Sequence, residues 1–109
     1  MTLLVIAALF LAGCSTVAAR RDDPPIFVGS TGRSLVEFQG CFARQLDRET
    51  QPTFMPRGNG GTYTQTVNHY VTWVVDIDDL GHERRATIYA VDSIAGPNQR
   101  IVRQVQACL

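Results

Sequence analysis

The chain has 109 residues, with ten Lys and Arg against ten Asp and Glu, and it contains three cysteines. That length holds one small domain, and the balanced charge excludes an electrostatic nucleic-acid binder or a polybasic membrane surface. In an exported chain, an odd cysteine count leaves one thiol with a task outside the fold.

Residues Leu3 to Ala12 form an apolar run. It is too short to cross a bilayer as a helix but suits the hydrophobic region of a signal peptide. The run closes on Leu11-Ala12-Gly13-Cys14-Ser15, a leucine, two small residues and a cysteine. In this, residues 1–15 resemble a bacterial lipoprotein signal. The resemblance implies that residues 1–13 are removed and that Cys14 becomes the lipid-carrying N-terminus. It also implies that the partner reached through Cys14 is a membrane, where several acyl chains on one residue give stable anchoring. Ser15, rather than Asp, after the cysteine implies the periplasmic face of the outer membrane. Two other readings of the same residues stay open. A peptidase could cut after Ala19, or Leu3 to Ala19 could serve as an uncleaved anchor. Ser15 and Thr16 interrupt the longer apolar stretch, and Arg20-Arg21 lie on the side that export disfavours; both weigh against these readings.

From Ser15 to Arg33 the composition turns to Ser, Thr, Ala, Arg, Asp, Pro and Gly. Residues 14–33 therefore read as a lipidated cysteine followed by a flexible tether with an end-to-end distance of about 25 Å. Within it, Pro25-Ile26-Phe27-Val28 is apolar enough to dock as an edge segment. Ser34-Leu35-Val36-Glu37 has capping-box spacing and predicts a helix starting at Ser34. Leu35, Phe38, Phe42 and Leu46 recur on one face of that helix, with Cys41 beside them, and Pro52 limits its extent.

Arg57-Gly58-Asn59-Gly60-Gly61 reads as a loop. Beyond it, Tyr63, Val67, Val71, Trp73, Val75 and Ile77 alternate with Thr62, Thr64, Thr66, Asn68, Thr72, Asp76 and Asp78. This period of two predicts strand with the odd face inward, either bending near Asn68-His69 or breaking into two strands there. Asp78-Asp79-Leu80-Gly81 turns the chain, and Arg85 to Val91 returns beside it. Gly96-Pro97 opens a closing helix with Ile101, Val105 and Cys108 on one stripe. The fold class expected for residues 34–109 is α+β: an antiparallel sheet of about three strands, with two helices on one face.

Cys41 and Cys108 fall on the buried faces of the two helices, and an oxidising compartment would pair them. Closing a loop of about 68 residues contributes about 4 kcal/mol on the chain-entropy model. The alternative is two free buried thiols. Widely separated on two helices, and without clustered His or Cys, they make a poor metal site, and the sequence names no cofactor.

The segment Asp76 to Glu83 resembles a calcium loop until Leu80 and Thr87 fall where acids are required. His82-Glu83 lacks the second His of a zinc-protease helix. A polar turn with Gly81 at positive φ is the simpler reading. His69, between Val67 and Val71, is either a general base or a strand residue at a bend, and no nucleophile signature pairs with it. Arg57 and its glycines offer a cation and amides, as anion-binding loops do, but lack the Lys-Ser/Thr of a phosphate loop. Trp73, Tyr70 and Tyr89 read as core and sheet-surface aromatics, with Tyr70, Thr72 and Val74 as a candidate contact patch. The sequence thus assigns no catalytic residue. It favours a non-enzymatic envelope lipoprotein that binds another envelope protein or a cell-wall component. The alternative is a small hydrolase or ligand-binding domain using His69 or the Asp76 to Glu83 hairpin.

Overall fold

The computed structural model describes residues 16–46, 52–90 and 97–109. Cys14 and the rest of the signal-like segment lie outside the described residues. The element order is α1 (Val17–Arg21), β1 (Phe27–Thr31), α2 (Leu35–Gln45), β2 (Thr53–Arg57), β3 (Gly60–Val67), β4 (Tyr70–Asp79), β5 (Arg84–Ala90) and α3 (Pro97–Gln106). All strands pair antiparallel in one five-stranded sheet of order β1-β5-β4-β3-β2. The class is α+β, as the sequence predicts, but the sheet is wider than the three strands expected. None of the described helices is long and apolar enough to cross a membrane.

Ser34 caps α2, its hydroxyl accepting the Glu37 amide at 3.2 Å. This satisfies a donor that the first helical turn leaves without a partner. The helix presents Phe38, Cys41 and Phe42 to the sheet. Phe42 meets Tyr63 edge-on at 4.8 Å and Trp73 at 6.5 Å between ring centroids. Val75, Ile77, Ala86 and Ile88 from β4 and β5 complete the layer with Ile101 and Val105 of α3. The two helices therefore share one sheet face, and Cys41 and Cys108 join them in a disulfide with a Cα separation of 5.7 Å. A polar tie accompanies it, Gln104 Nε2 donating to the Gln45 carbonyl at 2.9 Å.

The long alternating stretch is two strands. Asn68 and His69 both take positive φ, 51° and 64°, in a two-residue turn whose twist suits an antiparallel pair. The ladder between β3 and β4 shifts register between Gln65 and Thr66, so Thr72 has no opposite residue in β3, although its hydroxyl still reaches the Gln65 carbonyl at 3.2 Å. Such a bulge bends the strand and interrupts strict alternation. Val67 is consequently exposed at the hairpin tip, although it shares odd parity with the buried Trp73 and Val75.

Two strands lie where the sequence predicts none or only a docked segment. β1 forms within the expected tether and pairs with β5 through Phe27↔Ile88 to Thr31↔Arg84. It extends the edge segment anticipated at Pro25 to Val28. β2 precedes the glycine-rich stretch, which is a tight turn rather than a loose loop. Arg57 pairs with Gly60, and Gly58 between them takes φ 53°, a conformation that costs glycine little. The ring of Phe54 lies over Gly61 and meets Tyr63 at 4.8 Å between centroids, the two planes tilted by 46°.

The tether expectation for residues 14–33 fails between Thr16 and Thr31, because α1 folds and docks. Thr16 caps α1 through the Ala19 amide at 3.1 Å. The helix lies on the sheet face opposite α2 and α3, against β4 and β5. Alternation along β4 turns Val74 and Asp76 towards α1, while Val75 and Ile77 face the core. Asp76 and Thr62, expected at a solvated face, are buried for this reason.

Candidate functional site

The face under α1 carries the densest polar cluster among the described residues. Arg21 reaches from the last turn of α1 to Asp76. Its Nε donates to Oδ2 at 2.8 Å and its Nη2 to Oδ1 at 2.7 Å. The Thr62 hydroxyl donates to Asp76 Oδ1 at 2.7 Å and accepts from Arg21 Nη2 at 3.1 Å. Arg57, from the end of β2, donates Nε to the same hydroxyl at 3.3 Å and Nη2 to Asp78 at 2.8 Å. Its Nη2 also stands 3.6 Å from Asp76.

Burial alone would raise the Asp76 carboxyl. Hydrogen bonds from Arg21 and Thr62, and the positive charges of Arg21 and Arg57, outweigh it and hold the group below its ordinary value. The Asp76 hydrogen bonds, against the cost of burial, raise Arg21 in turn. Asp76 is therefore a fixed anion beside two guanidinium groups, with three hydrogen bonds donated to its two oxygens.

Beside this cluster opens a cavity of about 360 Å³ lined by Val17, Arg21, Met55, Pro56, Arg57, Thr62 and Thr64. One wall is aliphatic, from α1 and β2. The floor carries the two guanidinium groups and two hydroxyls. A second cavity, about 410 Å³, is lined by Asp23, Pro24, Pro25, Ile26 and Ala90 and offers a single ionisable group.

The residues singled out from the sequence fall elsewhere. His69 sits exposed at the β3–β4 turn, and among the described residues no acid or hydroxyl is hydrogen-bonded to it. The side chain of His82 is 80% exposed, and its contact is the neighbouring Glu83 at 3.6 Å. Neither histidine lines either cavity. The acids of the Asp76 to Glu83 hairpin are dispersed. Asp76 faces α1, Asp78 pairs with Arg57, and Asp79 accepts the Gly81 amide at 2.9 Å. Gly81 takes φ 92°, so the segment is the polar turn that its composition predicts. Among the described residues no group of three or more His, Cys, Asp or Glu is placed to hold a metal.

The suggested patch of Tyr70, Thr72 and Val74 is not one continuous exposed surface. Val74 is fully buried, and Tyr70, 42% exposed, is engaged by Arg20, which donates to its hydroxyl at 2.8 Å with the guanidinium 5.0 Å from the ring centroid. Sequence reasoning missed Arg21 and Thr62 as site residues because their meeting depends on α1. A local signal for α1 exists: Thr16 is a good N-cap, and Val17-Ala18-Ala19-Arg20-Arg21 is rich in strong helix formers. Comparison with protein-family models, with curated proteins and with solved structures found no match for the chain.

Proposed function

We propose that the protein is an exported lipoprotein of the bacterial cell envelope, anchored through Cys14 at the periplasmic face of the outer membrane. Its domain serves as a non-enzymatic binding module for another envelope protein or a cell-wall component. The observation that carries this reading is the use of cysteine. Cys41 and Cys108 are joined within the core, so Cys14 alone is left for the lipid that its lipoprotein-like sequence context calls for. A disulfide of this kind suits an oxidising compartment.

The docking of α1 alters how such an anchor would hold the domain. Thr16 already caps α1, so Cys14 lies two residues, about 7 Å of chain, from the folded body. The domain would then rest against the bilayer, not about 25 Å clear of it.

The test is mass spectrometry of the N-terminal peptide from native envelopes, combined with crosslinking to identify the partner. A diacylglyceryl-modified peptide beginning at Cys14, lost in Cys14→Ser, supports the proposal. An unlipidated peptide retaining Met1 to Arg20 overturns it.

A further inference from the structure

We infer that the cavity between α1 and the β2–β3 hairpin is a binding site for a carboxylate carried on a small aliphatic body. This inference names the ligand chemistry of the proposed binding module and rests on that reading. Arg21 and Arg57 both line the cavity. The inner nitrogens of Arg21 are spent on Asp76 and Thr62, and two of Arg57 on Thr62 and Asp78. Among the described residues nothing is hydrogen-bonded to the Nη1 of either residue. Both guanidiniums donate to Thr62 Oγ1, at 3.1 and 3.3 Å, so they are side by side. A guanidinium whose Nη1 is free of these partners offers a planar donor edge that matches the two oxygens of a carboxylate.

The charge count favours a monoanion over a dianion. Asp76 and Asp78 already balance Arg21 and Arg57, so the cluster has no surplus positive charge, and the repulsion of the two aspartates, which grows with ligand charge, is least for a single negative charge placed on the exposed side of the guanidiniums. Val17, Met55 and Pro56 supply an apolar wall next to this cationic floor, and Thr64 adds a hydroxyl. An apolar lining with a few convergent polar groups is the usual build of a small-ligand pocket, and about 360 Å³ is at the small end of that range. The C-terminal residue of a short peptide and a free short-chain acid share this chemistry.

The experiment is an NMR titration of the full chain in detergent micelles. The probes are N-acetylalanine for a peptide terminus, butyrate for a free acid, and N-acetylalaninamide as the uncharged control. Saturable shifts of the Met55 methyl and the Thr64 amide with an acid, at least tenfold weaker with the amide, are expected. A fivefold preference for N-acetylalanine assigns a peptide terminus, and the reverse assigns a free acid. Arg57→Gln, which leaves the Arg21 and Asp76 pair in place, weakens binding at least tenfold while Tm moves by only a few degrees. Equal response to acid and amide, no saturable response, or undiminished binding in folded Arg57→Gln overturns the inference. Failure here leaves the Cys14 lipid measurement untouched, so the anchor and the site are judged separately.

Discussion

Arg21 and Asp76, 55 residues apart, meet in a two-pronged ion pair of 2.7 and 2.8 Å that fastens α1 to the sheet. The pair is half-buried, with Asp76 sealed and Arg21 a third exposed. Removing one partner leaves the other poorly solvated. Arg21→Ala and Asp76→Asn should each cost about 2 kcal/mol, and the double variant less than their sum. Denaturant unfolding of the four species checks this, and additive losses would show the two side chains to be uncoupled.

The same pair sets an acid limit. Asp76 is held below its ordinary value of 3.8, so the unfolded chain takes up its proton first as pH falls. Its contribution is complete above the unfolded carboxyl value and is lost as pH falls through that value towards the lower folded one. Stability measured from about pH 6 down to about pH 2 should drop more steeply for the natural chain than for Asp76→Asn. Parallel curves would remove Asp76 from the account.

Cys41 and Cys108 close most of the folded domain into one loop, with a sequence separation of 67. Reduction, or Cys108→Ser, should cost about 4 kcal/mol, mainly by freeing the unfolded chain. Chemical denaturation with and without reductant measures it. Because Phe38, Phe42, Ile101 and Val105 still pack together, the reduced form should remain folded with a lower midpoint.

A side chain on Gly60 or Gly61 meets a different obstacle in each case. A Cβ on Gly60 would strike the backbone carbonyl of Ile77, whereas one on Gly61 would strike the ring of Phe54, which is partly exposed and free to swing away. Gly60→Ala should cost about 3 kcal/mol and Gly61→Ala about 1 kcal/mol, overpacking being worst where backbone must move. Thermal melts rank the two, and the opposite order would mean that the hairpin shifts more readily than the ring.

His69 occupies a left-handed turn position, φ 64°. His69→Gly relieves that conformation and should raise stability by about 0.5 kcal/mol, since asparagine followed by glycine is a favoured pair for a two-residue hairpin turn. Thermal melts of the two chains measure the difference. A loss of stability would show that the imidazole makes a contact that matters. The expected gain accords with a residue placed by turn geometry and not by chemistry.

The sequence by itself determined whatever depends on near neighbours. The Ser34 cap, the Phe38, Cys41 and Phe42 face, the Trp73, Val75 and Ile77 alternation, and the Gly81 turn follow from local spacing, because helix and strand periods are local properties. The Cys41 and Cys108 pairing was legible as well, since both fell on buried faces of predicted helices. Only the tertiary structure decided the fate of the other sheet face. Thr62, Val74 and Asp76 are sealed by α1, a five-residue helix too short to be stable alone and held by contacts made about fifty residues away. β1 is likewise an edge strand, with hydrogen-bond partners more than fifty residues away, whereas β2 pairs with its neighbour β3 but is exposed along its whole length, so no alternation within its five residues announces it. The cavity exists where α1 and the β2–β3 hairpin approach one another. Its chemistry belongs to residues that read, one at a time, as tether, loop and solvated strand.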